Sequence, residues 1–363
     1  MTRTRSTTPQ RARRSPGSPR PANRLAYRRL HGLGNDYVFV RGRDLRHACG
    51  VEAVRALSDR HRGVGGDGVI SIELGEDASP AATPRLRMRM WNADGSEGGM
   101  CGNGVRGAVR FAIEEGLVEF EESATSREVV VEIGDRAVRC RIVEISPRFL
   151  VAVDMGACDF GWAAVPFRPT RPLVAAPPDT LRSVDELDAL GASGNLGSPG
   201  DLAASLRGWS VASMGNPHLV LMVSSRAEID SVPLTTLGPL LEHAAAFPAR
   251  TNVHLAKVET RTRFQMRTWE RGTGPTLACG SGACAAFGIL HRCGDLDAAA
   301  TAVLDGGALD LATGAAGRIE MTGPSETCCT GIVDLDALLA ARRSEPATIG
   351  TPIEIELDAE ATT

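Results

Sequence analysis

Between residues 85 and 91 the chain alternates strictly: Leu86, Met88 and Met90 are apolar, and Arg85, Arg87 and Arg89 separate them. A period of two predicts a strand with one face buried. After a short gap the period lengthens. Val105, Ala108, Val109, Ala112 and Ile113 recur at i, i+3, i+4, i+7 and i+8, and Gly116 offers a stop, which predicts an amphipathic helix. The same phrase is written again. Phe264, Met266 and Thr268 interleave with Arg263, Gln265 and Arg267, after which residues 283–292 run apolar almost all round and Gly294 follows; that pattern predicts a buried helix. Further strands are predicted near 35–41, 68–74 and 128–142, and a helix at about 51–61.

The two phrases are a duplication. Met88-Arg89-Met90-Trp91 precedes Cys101-Gly102-Asn103-Gly104, and 178 positions later Met266-Arg267-Thr268-Trp269 precedes Cys279-Gly280-Ser281-Gly282. Gly34-Asn35 before Tyr37-Val38-Phe39-Val40 is echoed 181 positions later by Gly215-Asn216 before His218-Leu219-Val220-Leu221. One repeat per half implies two related domains with a shared site. Each cysteine stands in a glycine-rich turn at the start of a helix. Unpaired N–H groups and the helix dipole favour negative charge there, so each thiol is expected to fall from ~8.5 towards neutrality. The flanking glycines let backbone N–H groups approach a carboxylate. A lone turn of this kind also admits a buried structural cysteine as the lesser reading. Two in a duplicated frame suit proton transfer at one carbon from opposite faces, one thiolate taking the α-proton while the opposite thiol delivers another.

Eight segments, taken in order along the chain, carry a resemblance to a known family. They are His31-Gly32-Leu33-Gly34-Asn35-Asp36, Gly63-Val64-Gly65-Gly66-Asp67, Asn92-Ala93-Asp94-Gly95-Ser96-Glu97 and Met100-Cys101-Gly102-Asn103-Gly104-Val105-Arg106. In the second half they are Ser213-Met214-Gly215-Asn216-Pro217-His218, Phe247-Pro248-Ala249-Arg250-Thr251-Asn252, Glu270-Arg271-Gly272 through Cys279-Gly280-Ser281-Gly282-Ala283-Cys284, and Met321-Thr322-Gly323-Pro324. Across residues 27–335 this series resembles the diaminopimelate epimerases. The resemblance implies an α+β fold of two pseudo-symmetric domains, each a mixed β-sheet wrapped around a central α-helix, with substrate in the cleft between them. It implies a cofactor-independent isomerase interconverting LL- and meso-2,6-diaminopimelate, on the route to lysine and peptidoglycan precursors. Cys101 and Cys279 would be the acid/base pair, with His218 and Glu270 beside them helping to set their protonation. Asn35, Asn92, Asn216, Asn252, Glu270 and Arg271 would hold the substrate. Backbone N–H groups around Gly102-Asn103 and Gly280-Ser281 would hold the carboxylate at the reacting carbon. The distal end of such a substrate needs carbonyl acceptors for its ammonium and an arginine for its carboxylate.

Departures from the family pattern are Gly68, where some members carry Gln, Pro275 in place of an acidic residue, and a longer connection at about 178–208. The nearest catalytic alternative is a proline or hydroxyproline racemase on the same scaffold; Asn103, Asn252 and Glu270-Arg271 favour the two-headed substrate. A non-catalytic amino-acid-binding module is a second alternative. Both cysteines count against it, since binding alone would tolerate Ser.

Length and composition bound the rest. At 363 residues about two domains are expected, with a core that folds without staples. A net charge of −4 offers no general attraction to nucleic acid or membranes. No apolar run approaches ~18 residues, and there is no secretory signal pattern. A cytoplasmic protein with a small-molecule partner is expected, and a homodimer is left open. Nine cysteines at irregular spacings suit a reducing compartment. Cys49, Cys140, Cys158, Cys284 and Cys293 read as buried fillers, and Cys328-Cys329 as a strand pair with one side chain in and one out. No Cys/His spacing fits a closed zinc site, so no metal is expected.

Lys257 is the only lysine, so a pyridoxal-phosphate mechanism would rest wholly on it. It sits in a strand-like alternation with Leu255 and Glu259, with no phosphate loop nearby. Residues 63–68 match a dinucleotide fingerprint literally, but a helix precedes them and a strand follows, the reverse of what the fingerprint needs.

The predicted organisation begins with a disordered basic tail over 1–24, holding seven arginines and no acid; its composition also fits a transit peptide or a mis-assigned start. An N-terminal domain follows over 25–147 and a C-terminal domain over 148–324. The latter carries a surface insertion at about 176–208 with one short helix near 184–190, and a closing hairpin over 309–321. A strand over 325–336 is expected to return to the first domain. An extension over 337–363 completes a short helix at 335–343 and adds an edge strand near 353–355.

Overall fold

The alternating segments fold as strands and the periodic ones as helices, and the duplication extends to their boundaries. In the computed structural model, which describes residues 24–45, 50–75, 83–121, 127–174, 181–192 and 204–343, the strand before the first cysteine is Arg85–Asn92 and its counterpart is Arg263–Glu270. The first central helix is Gly102–Glu114 and the second is Gly280–Arg292. Both strands bury their apolar rows. Gly116 and Gly294, at left-handed φ of 63° and 79°, close the two helices, as a residue without Cβ does most readily.

The first half contributes β1 (Arg24–Gly32), β2 (Asn35–Arg41), β3 (Gly68–Leu74), β4 (Arg85–Asn92), β5 (Glu128–Ile133), β6 (Arg136–Glu144) and β7 (Leu150–Ala157). The second contributes β8 (Leu206–Ser213), β9 (Pro217–Val223), β10 (Asn252–Thr260), β11 (Arg263–Glu270), β12 (Gly274–Thr276), β13 (Ala299–Leu304), β14 (Gly307–Thr313) and β15 (Arg318–Pro324), and β16 is Glu326–Asp334. In the first half β1–β2 is antiparallel, β2–β3 parallel, β3–β4 antiparallel and β4–β5 parallel, with β5–β6 and β6–β7 antiparallel. The second half repeats this series pairing for pairing through β8–β9, β9–β10, β10–β11, β11–β13, β13–β14 and β14–β15. The last strands of the two halves, β7 and β15, pair antiparallel and join the sheets. β12 is a short spur on β11, and β16 adds to the outer side of β1.

Each sheet curls around its own helix. The first helix touches β1, β2, β3, β5 and β7, and the second touches β8, β9, β10, β13, β14 and β15. This explains the different sequence of the two helices. The second is surrounded, and Ala283 to Leu290 are all buried. The first keeps a partly exposed C-terminal end, where Arg110 pairs with Glu114, and Arg28 and Arg41 with Glu115.

Several expectations need correcting. The boundary expected at 147 falls later, because β7, Leu150–Ala157, pairs with β6 and completes the first half's series of strands. Residues 128–142 are two strands folded at Gly134-Asp135. β1 carries no clean alternation because its two ends bury opposite faces, Leu25 in one core and Leu30 in another. The 176–208 stretch is not simply a surface insertion. Its described part includes a 3₁₀ helix, Val184–Leu190, whose Leu187 and Leu190 are buried with Phe167 and Trp209, and residues from 206 onward belong to β8. Arg182 and Ser183 anchor that segment, through a bridge to Trp209 and a 3.0 Å bond from Trp209 Nε1 to the Ser183 carbonyl.

Among the cysteines, Cys140 and Cys284 are buried, but Cys158 is half-buried and Cys293 exposed. Cys328 and Cys329 are both exposed, since β16 has a partner on one side only and the bulge inserts Cys328 between two paired residues. Cys49, residues 1–23 and the 353–355 strand lie outside the described residues. The helix Leu335–Arg343 forms as expected and its Arg342 binds Asp59.

Candidate active site

Each cysteine is the last extended residue before a central helix, with φ, ψ of −125°, 117° at Cys101 and −122°, 106° at Cys279. Each cysteine therefore holds the N-cap position of its helix, and neither sulfur closes a cap hydrogen bond. The N–H groups of Asn103 and Gly104 pull the Cys101 pKa down, and that of Gly282 pulls down Cys279, each against burial. The two turns nearly touch. A Cβ built on Gly280 would lie 4.0 Å from the Gly102 Cα and 3.1 Å from Met321 Sδ. Glycine at both positions permits this approach, and it happens over β7 and β15, where the halves join. Both cysteines open on one cleft of about 1880 Å³, larger than the ~300–1,000 Å³ of an ordinary small-molecule pocket. Asn35, Asn92, Gly102, Asn103, Asn216, Asn252, Glu270, Arg271, Gly280 and Ser281 line it as well.

The surroundings of the two sulfurs differ. Tyr37 Oη donates to Cys101 Sγ at 3.6 Å, and the thiol in turn faces Asn35 Oδ1 at 3.8 Å. Asn35 is held by donating to Asp67 Oδ2 at 2.9 Å. Asn103 donates to Asn35 Oδ1 at 3.3 Å and accepts from Arg106 Nη2 at 2.7 Å. Arg106 is fully buried, also donating to the Pro324 carbonyl at 3.0 Å, and desolvation pushes its pKa down to about 10. Cys279 instead lies beside Glu270, which accepts from Thr276 Oγ1 at 2.6 Å and whose charge raises the thiol's pKa. Ser281 Oγ is 3.6 Å from Cys279 Sγ.

The expected fall of the thiols towards neutrality is overturned. Burial pushes Cys101 above the usual thiol range despite the donors Gly104, Tyr37 and Asn103, and it pushes Cys279 up further, with Glu270 adding to the effect. The loss of hydration outweighs what a helix N-terminus returns. Burial also raises the Glu270 carboxyl, against the pull of Thr276 and Cys279.

His218 was expected beside the thiols. It is wholly buried, and both ring nitrogens are engaged elsewhere, Nε2 with Asn216 Oδ1 at 2.9 Å and Nδ1 with His254 Nε2 at 2.9 Å. It reaches the cleft through Asn216. Asn252 is also buried, donating to the Pro217 carbonyl at 2.8 Å and accepting from the Arg271 N–H at 3.0 Å, so it fixes the Glu270-Arg271 corner. Asn92, at the end of β4, donates to Ser96 Oγ at 2.9 Å. Lys257 Nζ pairs with Glu228 at 3.1 Å. Among the described residues no cluster of His, Cys, Asp or Glu gathers as a metal site requires, and no helix is long and apolar enough to cross a membrane.

Sequence alone assigns no site role to Tyr37, Arg106 or His254. The 181-residue echo aligns Tyr37 with His218 and is the signal that marks it. Arg106 follows Asn103 by one helical turn, and that spacing was available. His254 left no signal beyond its place in a strand.

A family model described as "Diaminopimelate epimerase" matches residues 28–160 and 210–328. The chain is similar to the diaminopimelate epimerase of Cupriavidus necator, 36% identical over 319 residues that cover 87% of this chain and 100% of the relative. It is similar to that of Rhodospirillum centenum, 38% identical over 303 residues covering 84% and 90%, and to that of Geobacillus kaustophilus, 35% identical over 316 residues covering 85% and 96%. Among solved structures, the fold is shared with a phenazine biosynthesis protein of the PhzF family from Bacillus anthracis, with a TM-score of 0.58 at 15% identity over 85% of this chain and 99% of that one. A hydroxyproline epimerase from Agrobacterium vitis gives a TM-score of 0.53 at 15% identity over 86% and 91%.

Proposed function

The chain belongs to the diaminopimelate epimerase family and is an isomerase; we propose that it inverts one α-carbon of 2,6-diaminopimelate between Cys101 and Cys279, without a cofactor. The observation that carries this reading is the meeting of two cysteine-capped helix N-termini, Gly280 against Gly102, on one cleft. A carboxylate at that meeting point accepts N–H groups from both turns, which favours the charge that builds on it as the α-proton leaves. One sulfur takes the α-proton as thiolate; the opposite thiol gives its proton to the other face. The exchange balances, leaving the enzyme with the thiolate on the other side.

The unequal surroundings support unequal resting roles. Tyr37 donates to Cys101, which favours the thiolate, whereas the Glu270 carboxylate beside Cys279 repels a second negative charge, which favours the thiol. Arg271, Asn216 and Asn92 are then available for the distal amino-acid end. A biosynthetic enzyme of this kind is expected in the cytoplasm, and light scattering would test a homodimer.

The test is turnover of LL-diaminopimelate in deuterium oxide, with proline and hydroxyproline run beside it. Solvent deuterium should appear at the inverted carbon, and Cys101→Ser or Cys279→Ser alone should nearly abolish the reaction. Near wild-type turnover by either variant would overturn the two-thiol mechanism. Inversion of proline or hydroxyproline in place of diaminopimelate would overturn the substrate.

A further inference from the structure

We infer that Thr268, His254 and His218 act as positioning residues, forming a one-way hydrogen-bond relay that fixes the Asn216 amide with its NH2 group towards the cleft, as a donor for a substrate carboxylate. This deepens the diaminopimelate reading and rests on it for the identity of the carboxylate.

The relay crosses three neighbouring strands. Thr268 on β11 lies directly opposite His254 on β10, with Thr268 Oγ1 3.2 Å from His254 Nδ1. His254 Nε2 is 2.9 Å from His218 Nδ1, and His218 Nε2 is 2.9 Å from Asn216 Oδ1. Both rings are wholly buried and Thr268 is nearly so. Burial holds both imidazoles neutral, pushing His254 down to about 3 and His218 well below its usual range.

A neutral imidazole carries one N–H and one bare nitrogen. Each ring must therefore accept on one side if it donates on the other, and the whole chain can run in only two directions. In the first, the Thr268 hydroxyl donates to His254 Nδ1, His254 Nε2–H to His218 Nδ1, and His218 Nε2–H to Asn216 Oδ1. The second reverses every bond, so that His254 Nδ1–H donates to Thr268. Among the described residues His254 is the hydrogen-bond partner of the Thr268 hydroxyl, so reversal leaves a buried hydroxyl proton without an acceptor. Buried donors are rarely left so. The first direction is selected, and it turns the Asn216 NH2 away from His218.

The first half of the molecule does the opposite. Asn35, the partner of Asn216 in the 181-residue echo, has its NH2 group tied to Asp67, and its oxygen receives Asn103 and Cys101. The duplicated asparagines thus present opposite ends, oxygen at Asn35 and NH2 at Asn216. With Arg271 on the same cleft wall, the Asn216 donor suits an anionic group. The relay also backs onto the second cysteine turn, since a Cβ on Gly282 would lie 2.4 Å from His254 Cε1.

The full-length enzyme labelled with ¹⁵N-histidine tests this. Both His218 and His254 should show the Nε2–H tautomer and stay neutral at pH 5. Thr268→Val, which keeps the shape and removes the hydroxyl, should raise KM for diaminopimelate about tenfold with kcat nearly unchanged, and Thr268→Ser should keep the wild-type KM. Nδ1–H tautomers, or an unmoved KM in Thr268→Val, would overturn the relay. The tautomers are read without turnover. An enzyme inert towards diaminopimelate but with both rings as Nε2–H would sink the substrate reading and leave the relay standing.

Discussion

Replacing Tyr37 with Phe removes one hydroxyl from the cleft wall and leaves the ring that fills its place. Tyr37 is 6% exposed, and its hydroxyl lies 3.6 Å from Cys101 Sγ. Burial and the neighbouring Cys101 push the phenol's own pKa well up, so it remains a donor throughout the working range. A hydrogen bond to an ionised acceptor contributes about 1.5–3 kcal/mol. Sulfur is a diffuse acceptor at a long distance, which places this bond at the lower end, and about 1.4 kcal/mol corresponds to one pH unit in the thiol's pKa. The donors Gly104 and Asn103 stay, as does the burial that dominates the shift. Tyr37→Phe should therefore raise Cys101 by about one pH unit and cut its thiolate fraction at neutral pH about tenfold. The assay is the pH dependence of iodoacetamide alkylation, read cysteine by cysteine in digested peptides. Cys101 should slow about tenfold, while Cys279, set by burial, Glu270 and Ser281, serves as the internal reference. The pH limb of kcat/KM should move upward with Cys101. An unmoved Cys101 profile would show that the phenol does not stabilise its thiolate, and equal slowing at Cys279 would show a general loosening of the cleft.

Glu270→Gln should act in the opposite sense on the other thiol. With the carboxylate gone from beside Cys279, alkylation at Cys279 should speed up at neutral pH while epimerisation falls; unchanged alkylation would remove Glu270 from the control of Cys279. Stability should fall on the alkaline side. Burial raises Cys140, Cys284 and Cys279, and takes Cys158 to about 12, so each thiol's folded value lies above its unfolded one. Their stabilising contribution is complete below the unfolded thiol range of ~8.5 and is lost as pH climbs towards the folded values, at about 1.4 kcal/mol per pH unit for each fully buried thiol. Urea denaturation at pH 8 and pH 10 measures it, and equal unfolding free energies at the two would refute the linkage.

What could be read from sequence and what could not divide along a physical line. β4, β11 and the two central helices were legible because each faces a single kind of environment along its length. A strand with one face in the core writes period two, and a helix enclosed by sheet on all sides writes an unbroken apolar run. The repeat then doubled every signal, since a pattern seen twice at a spacing of 178 is hard to produce by chance. β1 was illegible for the converse reason. Its buried face changes along its length, with Leu25 in one core and Leu30, on the opposite face, in another, and Arg28 and Arg29 are held on ion pairs, so neither face stays consistent. The 184–190 segment shows the same failure in a polar stretch, where two buried leucines and an arginine bridged to Trp209 decide the packing. The chemistry divides in the same way. That two cysteines cap two helices follows from local pattern. How far their thiols are displaced does not, because it depends on how closely the Gly102 and Gly280 turns approach and how much water that approach removes. The echo between Tyr37 and His218 lies between the two cases. It is visible in sequence as a shared position, yet only the fold shows that one member of the pair touches a sulfur directly and that the other is one link in a chain of four side chains ending at Asn216. Duplication made the scaffold symmetric, and substitution at matched positions made the site asymmetric, so that one amino-acid end is held while the α-carbon of the other is inverted.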